Sequence, residues 1–438
     1  MESLFRTFDC RNNPSSGFWQ EVPSTKTENL VTSTIFGGDL YIFRGEKGLK
    51  KKKCVLTNTS LYYLSKWGIP ISKSDIRWKI IQPFVEGSEK KPLYGFRIYG
   101  NKAEDFYVNN SKDLDKWLEK LSKVGIFGTF DEDFMIIKEI NKGTGCIVNL
   151  CRCLGDMKEY AVKTIDKCIL FSKPYMLQSV EAEISALRTT DHPNVIKLFS
   201  VYEDEGKVCL VLEYLPNGDL LKKLKQVKKF SQDDTLKFIG RLLHTISYLH
   251  ALKIVHRDLK LENICFFSDC IYDFKIIDFG LACIYEHGLS QKCGTIGYVA
   301  PEVLKGDIYD HKVDIFAIGV IMFYLLSSRP LFRGKNPQEV AEKNKNCQVY
   351  ISHFNFKGVS KKCVDLISWL ISTNPTSRPN AYEALKNELL DSEKPYCIDL
   401  YNLDDTIDVH SFEKRNTCET VNYPQFMRTK VMNNNFLC

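Results

Sequence analysis

The sequence lacks a run of apolar residues long enough to span a membrane and lacks paired cysteines at metal-binding spacing. Its longest uncharged apolar stretch, 315–326, falls well short of the ~20 residues that a membrane helix needs, so it predicts a buried helix. The N-terminal residues show no charged and then apolar segment of the secretory type. The 16 cysteines are scattered along the sequence and include no CxxC pair. We therefore expect reduced thiols in a cytoplasmic protein rather than a disulfide framework or a zinc site.

Positive charge is concentrated in one part of the chain. The net charge is +6, yet residues 37–125 hold 18 lysines and arginines against 10 acidic residues, which leaves −2 for all the rest. Four consecutive lysines, 50–53, lie in one predicted turn and the strand that follows it. With 438 residues, the chain has room for two or three domains. The local excess indicates an acidic partner for one domain, and we predict no nucleic-acid partner.

Residues 35–126 predict a small domain made of strands and one closing helix. Segments rich in aromatic and β-branched residues, separated by turn residues, predict strands at 40–44, 53–56, 61–64, 93–99 and 105–108. From Ser111, a good N-cap, the residues Leu114, Trp117, Leu118 and Leu121 follow helical spacing. Strands followed by one helix with a core tryptophan resemble a pleckstrin-homology domain. The resemblance implies a β-barrel with a C-terminal capping helix.

The same resemblance implies a lipid head-group site on the first two strands. Lys50 and Lys52 alternate onto one face of the second strand, and Arg44 precedes it. Several converging cations suit multiply charged phosphates, so we predict that Arg44, Lys50 and Lys52 bind anionic phosphoinositide membranes. Reversible recruitment to the plasma membrane or endomembranes would follow. A solvated basic strand edge and a protein-docking surface stay open as alternatives.

Six ordered elements between residues 134 and 390 indicate one kind of chemistry. They are a glycine-containing loop at 140–148, Lys163 at the end of a strand, Glu183 in an amphipathic segment, the run 256–263, the triplet 278–280 and the triplet 300–302. The run reads His-Arg-Asp-Leu-Lys-Leu-Glu-Asn, and the triplets read Asp-Phe-Gly and Ala-Pro-Glu. In type and order they resemble a eukaryotic protein kinase domain. The resemblance implies a bilobal fold with a β-rich N-lobe and an α-helical C-lobe.

These two resemblances predict a multidomain α+β protein. The predicted parts are a flexible leader at 1–34, the pleckstrin-homology-like domain at 35–126, a linker at 127–133, the kinase domain at 134–390 and a tail at 391–438. The tail has no basic amphipathic helix and no EF-hand loop, so calmodulin binding is not indicated.

The kinase resemblance implies a role for each motif residue, with ATP and Mg²⁺ as cofactors. Asp258 would accept the proton of the acceptor hydroxyl, and Lys260 would stabilise the transferring phosphoryl group. Asn263 and Asp278 would bind Mg²⁺, a hard cation that prefers oxygen ligands. Lys163, paired with Glu183, would hold the phosphates of ATP. The other implied ATP-binding residues are Ile140, Asn141, Lys142, Gly143, Thr144, Gly145, Cys146, Val148, Ala161, Glu213, Leu215 and Asp219.

Two further positions narrow the substrate to serine or threonine residues of proteins. Lys260 in the catalytic loop, 256–263, and Thr295 in the activation segment, 278–302, resemble serine/threonine kinases of the calmodulin-dependent and calcium-dependent group. Glu262 matches an acidic position that, in basophilic relatives, meets a basic residue of the substrate. We therefore predict Glu262 and Thr295 as substrate-recognition residues and a basic side chain near position −3 of the substrate.

Two departures from the kinase pattern leave alternatives open. Asn141 and Cys146 stand where the first and third loop glycines are usual, so a catalytically weak pseudokinase acting as a phosphoinositide-dependent scaffold is the alternative. Gln291 stands where a phosphorylatable residue would face Arg257. Ser290 and Tyr285 are nearby candidates for phosphorylation. The sequence equally allows a loop that is competent without modification, with control passed to the N-terminal domain.

Overall fold

The computed structural model describes most of the chain. The described residues are 18–22, 33–43, 48–88, 90–100, 103–143, 145–349, 356 and 358–393. Arg44, Thr144, most of the predicted leader and nearly all of the predicted tail lie outside them. The described residues form two compact units, the first from 18–174 and 198–214 and the second from 175–197 and 215–393.

A single sheet runs through the first unit, with 14 strands among the described residues. The strands are β1 Gln20–Glu21, β2 Thr34–Phe43, β3 Leu49–Thr57, β4 Ser60–Leu64, β5 Pro70–Asp75, β6 Ile80–Ser88, β7 Lys91–Ile98, β8 Glu104–Val108, β9 Ile126–Phe127, β10 Phe134–Gly143, β11 Cys146–Cys153, β12 Glu159–Asp166, β13 Leu198–Glu203 and β14 Lys207–Glu213. Their order across the sheet is β1-β5-β4-β3-β2-β8-β7-β6-β9-β13-β14-β12-β11-β10. The first eight strands form a strand-rich N-terminal region, and β10 to β14 belong to the predicted kinase domain.

The N-terminal region contains the five predicted strands and three more, the two-residue strand β1 and the longer strands β5 and β6. β5 and β6 escaped prediction because β5 is mostly polar and β6 contains Pro83, a residue that argues against a strand. Helix α1, Ser111–Leu121, begins one residue after its cap, Asn110, whose side chain accepts the backbone N–H of Asp113 at 3.0 Å. Its apolar face buries Trp117, as the helical spacing predicts.

The predicted barrel does not close among the described strands. Closure would require β5 to pair with β6, but another strand occupies each of the edges that would meet. β1 pairs with β5, where Gln20 lies opposite Lys73, and β9 pairs in parallel with β6, where Ile126 lies opposite Ile80. The region is therefore an open, strand-rich sheet with one packed helix, and the pleckstrin-homology resemblance is not confirmed.

Strand β9 connects the N-terminal strands to the sheet of the kinase domain. It pairs in parallel with β6 on one side and with β13 on the other, where Phe127 lies opposite Tyr202. Helix α2, Phe130–Asp133, follows, and the rings of Phe127, Phe130 and Phe134 surround Tyr202 at centroid distances of 5.7, 5.6 and 5.8 Å. Residues 127–133, predicted to be a linker, thus contribute a strand residue, a helical turn and buried rings to one continuous core.

The second unit is mainly helical. Its helices are α4 Pro174–Thr189, α5 Leu220–Val227, α6 Gln232–Ala251, α7 Pro301–Lys305, α8 Lys312–Ser327, α9 Pro337–Lys345, α10 Lys361–Leu370 and α11 Ala381–Leu385. Its short strands are β15 Ile254–Val255, β16 Ile264–Phe266, β17 Phe274–Ile276 and β18 Cys283–Ile284. Helix α3, Lys167–Ser172, belongs to the first unit. Helix α8 is buried on nearly all sides, which confirms the prediction of a buried helix at 315–326. In the described part of the chain, no helix combines the length and apolarity that crossing a membrane requires.

Candidate active site

The catalytic loop is anchored by one buried carboxylate. Asp314 is 1% exposed and accepts the backbone N–H groups of His256 and Arg257, each at 2.9 Å. Nε2 of His250 donates to the same carboxylate at 2.9 Å. Burial disfavours the charged form, but the hydrogen bonds from His250 and from the backbone outweigh it, so the pKa of Asp314 lies below its ordinary value. Asp314 is thus an ionised anchor for the backbone that carries Asp258.

Asp258 lies at the centre of a network of polar side chains. Lys260 Nζ donates to Asp258 Oδ2 at 2.6 Å, and the Thr295 hydroxyl donates to Asp258 Oδ1 at 2.6 Å. Lys260 Nζ also reaches Thr295 Oγ1 at 3.0 Å, and Asn263 Nδ2 donates to Asp258 Oδ2 at 3.1 Å. The structure therefore brings together four predicted site residues from the catalytic loop and the activation segment.

Two residues of these segments have left-handed backbone conformations. Arg257 has φ of 64° and Asp278 has φ of 62°. Neither is glycine, so each costs about 1–3 kcal/mol and persists only where the surrounding contacts impose it. For Arg257 those contacts are the Asp314 carboxylate and the Leu281 carbonyl, which accepts from Arg257 Nε at 2.6 Å. Such locally strained backbone is typical of functional sites.

Asn263 and Asp278 supply the kind of oxygen atoms that the predicted Mg²⁺ site needs. The amide nitrogen of Asn263 is engaged by the Asp258 side chain and by the Asp258 carbonyl at 2.9 Å, so the amide oxygen is its atom for a cation. Asp278 is exposed, and its Oδ1 lies close to Gly280: a Cβ added to that glycine would come within 3.2 Å of the oxygen. A carboxylate and an amide oxygen are hard ligands that suit Mg²⁺, so the residues present fit the metal.

The predicted ATP-binding residues on the sheet of the first unit share one face. Val148 lies opposite Lys163, and Ala161 lies opposite Leu212. Since alternate residues of paired strands point to the same side, these four side chains line that face together. The Gly145 backbone at the turn between β10 and β11 has φ of 90°, which glycine adopts without strain. The loop therefore retains a glycine where its backbone requires one.

The other predicted ATP-binding residues are distributed over both units. Ile140, Asn141, Lys142 and Gly143 end β10, Cys146 begins β11, Glu213 ends β14, Glu183 is buried in α4, and Leu215 and Asp219 stand in the second unit. The Asp219 side chain accepts the backbone N–H of Lys222 at 2.8 Å and so caps α5. The predicted pairing of Lys163 with Glu183 stays a prediction.

Glu262 provides an exposed negative charge beside the catalytic loop. The pKa values of Tyr298 and Tyr324 are both raised. Burial is the larger cause for each tyrosine, and the negative charge of the Glu262 carboxylate is the second. Glu262 itself is exposed in a short helical turn, 261–263. It is therefore placed to attract a cation from solvent, as the substrate prediction requires.

Sequence reasoning missed Asn344, which positions the activation segment. Asn344 is fully buried in α9, where its side chain accepts the backbone N–H of Gly297 and donates to the Val299 carbonyl, both at 2.8 Å. It stands in a segment rich in lysine and asparagine, and no local pattern distinguishes it from its exposed neighbours. At the end of the activation segment, the Glu302 carboxylate accepts a hydrogen bond from the buried Arg378 at 2.6 Å.

Tyr309, also missed, connects Arg257 to the position held by Gln291. Arg257 Nη1 donates to the Tyr309 hydroxyl at 3.2 Å, and that hydroxyl donates to the Gln291 carbonyl at 2.6 Å. Burial raises the pKa of Tyr309 to about 12, so the hydroxyl is protonated and available as a donor at neutral pH. A tyrosine hydroxyl thus holds Arg257 and the segment together without a phosphate. This arrangement favours the alternative of a loop that is competent without modification.

The residues predicted to bind lipid differ from one another in their surroundings. Lys50 is exposed near the start of β3, and Lys51 is exposed and pairs with Asp39 at 2.8 Å. Lys52 is 7% exposed, and its Nζ lies 3.5 Å from the centroid of the Tyr63 ring. Lys52 is therefore held against the protein by an aromatic ring, whereas Lys50 is presented to solvent. Arg44 lies outside the described residues.

Comparison with known proteins connects this geometry to a family. The protein kinase domain model matches residues 134–390. Probable serine/threonine-protein kinase 2 of Plasmodium falciparum is 34% identical over 295 residues, which cover 66% of this chain and 57% of that protein. Calcium-dependent protein kinase 5 of Plasmodium berghei is 34% identical over 301 residues, which cover 67% of this chain and 49% of that protein. Human calcium/calmodulin-dependent protein kinase type IV is 32% identical over 277 residues, with 62% and 56% covered. The chain spans about half the length of these relatives.

Replacing Tyr309 with phenylalanine is expected to loosen the activation segment. The variant loses the hydroxyl that joins Arg257 to Gln291 and with it two hydrogen bonds of about 0.5–1.5 kcal/mol each. The fraction of molecules in which the activation segment is locally open should therefore rise roughly tenfold. Limited trypsin digestion, followed by mass spectrometry, measures cleavage after the exposed Lys292, which should become about tenfold faster.

The matched control is Tyr272→Phe, which removes a hydroxyl bonded to Asp234 at 3.2 Å outside the catalytic loop and the activation segment. Its cleavage after Lys292 should equal that of the unaltered chain. Equal cleavage rates in Tyr309→Phe and the unaltered chain would contradict the role assigned to Tyr309.

Proposed function

The chain belongs to the protein kinase family, and we propose that it is an active serine/threonine kinase that transfers the γ-phosphoryl group of ATP to protein hydroxyls. The observation that carries the proposal is the network in which Asp258 accepts hydrogen bonds from Lys260, Thr295 and Asn263. It places a base, a cation and a metal ligand together, which is the arrangement that phosphoryl transfer needs. The matched relatives named above are serine/threonine kinases or calcium-regulated protein kinases by name.

Each residue of the network has a defined task in this reaction. Asp258 orients the acceptor hydroxyl and takes up its proton; Oδ1 already accepts the hydroxyl of Thr295, which supports this role. Lys260 balances the negative charge that develops beside the acceptor oxygen. Asn263 and Asp278 would hold Mg²⁺, and the bound cation would supply positive charge to neutralise the phosphates of ATP. Asp314 and Asn344 keep the catalytic loop and the activation segment in position.

A pseudokinase scaffold is the second candidate, and the altered glycine loop is the observation in its favour. Asn141 and Cys146 replace two of the usual glycines, and a Cβ on Gly143 would come within 3.1 Å of Cys146 Sγ. The set of Lys163, Asp258 and Asp278 is nevertheless complete. The active enzyme is therefore the function that the site supports best.

The acceptor and its sequence context follow from Thr295 and Glu262. We predict that, of three peptides differing only in Ser, Thr or Tyr as acceptor, the chain phosphorylates the first two and leaves the third at background. Chelation of Mg²⁺ should abolish transfer, because its charge neutralisation would be lost. For a serine peptide with Arg at position −3, Glu262→Gln should raise KM about threefold, the size expected for one exposed ion pair.

The control for Glu262→Gln is the same peptide with Ala at −3, whose KM should not change between the two proteins. A rate on the tyrosine peptide equal to that on the serine peptide would contradict the proposed acceptor class. An unchanged KM for the Arg peptide would contradict only the role of Glu262.

We further propose that the N-terminal region binds anionic phospholipid membranes through its exposed lysines and so recruits the kinase reversibly. Lys50, Lys51 and Lys53 are exposed along β3, and the surrounding residues 37–125 carry the excess positive charge of the chain. Each lysine near an anionic bilayer contributes about 1 kcal/mol of attraction. The burial of Lys52 against Tyr63 supports a general electrostatic surface rather than a head-group pocket that includes Lys52.

Sedimentation with lipid vesicles measures this attraction. The full chain should bind vesicles containing phosphatidylserine, bind neutral phosphatidylcholine vesicles less, and lose the difference as salt is raised, because salt screens exposed charges. The double variant Lys50→Ala/Lys53→Ala should bind anionic vesicles about thirtyfold more weakly, because two lysines contribute about 2 kcal/mol. The control Lys361→Ala/Lys362→Ala, in the second unit, should bind as the unaltered chain does. Equal sedimentation with neutral and anionic vesicles would contradict the proposal.

A further inference from the structure

The turn between β4 and β5 holds an exposed tryptophan on an ordered backbone. Trp67 is 77% exposed, and Ile69 is 58% exposed. The Ser65 hydroxyl accepts the backbone N–H groups of Trp67 at 3.3 Å and Ile69 at 3.1 Å, and the Ser65 N–H donates to the Ile69 carbonyl at 2.7 Å. Gly68, with φ of 79°, donates its N–H to the Ser65 carbonyl at 3.0 Å. Four hydrogen bonds therefore present a large apolar ring to water.

The end of β2 and the start of β3 add apolar residues at the same end of the sheet. β3 and β4 are antiparallel, with Lys53 opposite Leu64, so the start of β3 and the end of β4 lie at one end. Phe43, the last residue of β2, is 60% exposed. We call the exposed apolar side chains at this end the hairpin-end surface; they are Phe43, Leu49, Trp67, Ile69 and Ile71. Several exposed apolar side chains at one end of a sheet favour an interaction site there.

Lysines accompany the hairpin-end surface at the start of β3 and in the turn between β4 and β5. Lys50 and Lys51 follow Leu49 directly, and Lys66 precedes Trp67 with its Nζ 5.1 Å from the ring centroid. Asp39, the acidic residue of β2, is already paired with Lys51. Indole rings favour the boundary between lipid chains and head groups, and lysines favour anionic head groups. The chemistry of this end of the sheet therefore matches the two layers of an anionic bilayer surface.

We propose that the hairpin-end surface inserts into the interface of a bilayer that contains anionic lipids, with Trp67 as its anchor. The inference rests on the proposed lipid binding and deepens it. Lysines provide attraction over a distance, and Trp67 provides a contact that salt does not screen. Charge complementarity selects the lipid as occupant, because Lys50, Lys51 and Lys66 lie next to the apolar residues in sequence.

The test uses the full chain and vesicles of phosphatidylcholine with phosphatidylserine. Trp67→Ser should weaken binding about tenfold, since the ring loses most of its burial in the interface, and Trp67→Phe should weaken it about twofold. The matched control is Phe267→Ser, which removes a ring that is 55% exposed in the second unit and should leave binding unchanged. Thermal unfolding of each variant should match the unaltered chain, because the replaced side chains are exposed.

Fluorescence provides a second readout. Brominated lipids quench an indole that enters the interface, and the difference between the unaltered chain and Trp67→Phe isolates Trp67 among the five tryptophans. That difference should be quenched by brominated vesicles containing phosphatidylserine.

Each outcome bears on one claim. If the unaltered chain does not bind anionic vesicles, the proposed lipid binding fails, and this inference fails with it. If the chain binds but Trp67→Ser binds equally and the isolated fluorescence is not quenched, lipid binding stands and the anchor is wrong. Self-association of the chain that Trp67→Ser abolishes would instead assign the surface to a second copy and overturn the inference.

Discussion

The ionised carboxylate of Asp314 is the contact on which the active site depends. It is buried, and three donors, two of them backbone N–H groups of His256 and Arg257, use its two oxygens. A backbone fixed in this way can hold Arg257 at positive φ and place the Asp258 carboxylate within hydrogen-bond distance of Lys260 and Thr295. Because the anchor lies in the long buried helix α8, the position of the catalytic base follows from the packing of the helical unit.

In the first unit, the corresponding constraint is the short strand β9. Its pairing on both sides makes the N-terminal strands and the kinase sheet one continuous layer, and Phe127, Phe130 and Tyr202 fill the core beneath it. Burying each such ring stabilises the fold by about 1.5–3 kcal/mol, so separating the two parts would expose these rings and cost several kcal/mol. An N-terminal region joined in this way forms one continuous layer with the kinase sheet.

The sequence was sufficient for the chemistry because kinase chemistry resides in short local motifs. Asp258, Lys260 and Asn263 are within five residues of each other, and the structure brings them together as expected. Contacts that depend on tertiary position were not predictable. Tyr309 acts on Gln291 through space, and strands β1 and β9, only two residues each, are too short to leave a periodic pattern, yet they prevent barrel closure. Alternation predicted Lys52 on the face of Lys50, but it could not reveal the Tyr63 ring against which Lys52 lies.

The most direct test of the account is the effect of Asp258→Asn on transfer of the γ-phosphoryl group to a serine peptide. The substitution keeps the size of the side chain and removes the base, and a positioned base contributes about 10²–10⁴-fold to such rates. Nucleotide binding, measured on the same samples, should be retained and reports that the variant is folded. The account predicts that kcat falls by at least about a hundredfold. An unchanged kcat in the folded variant would contradict it.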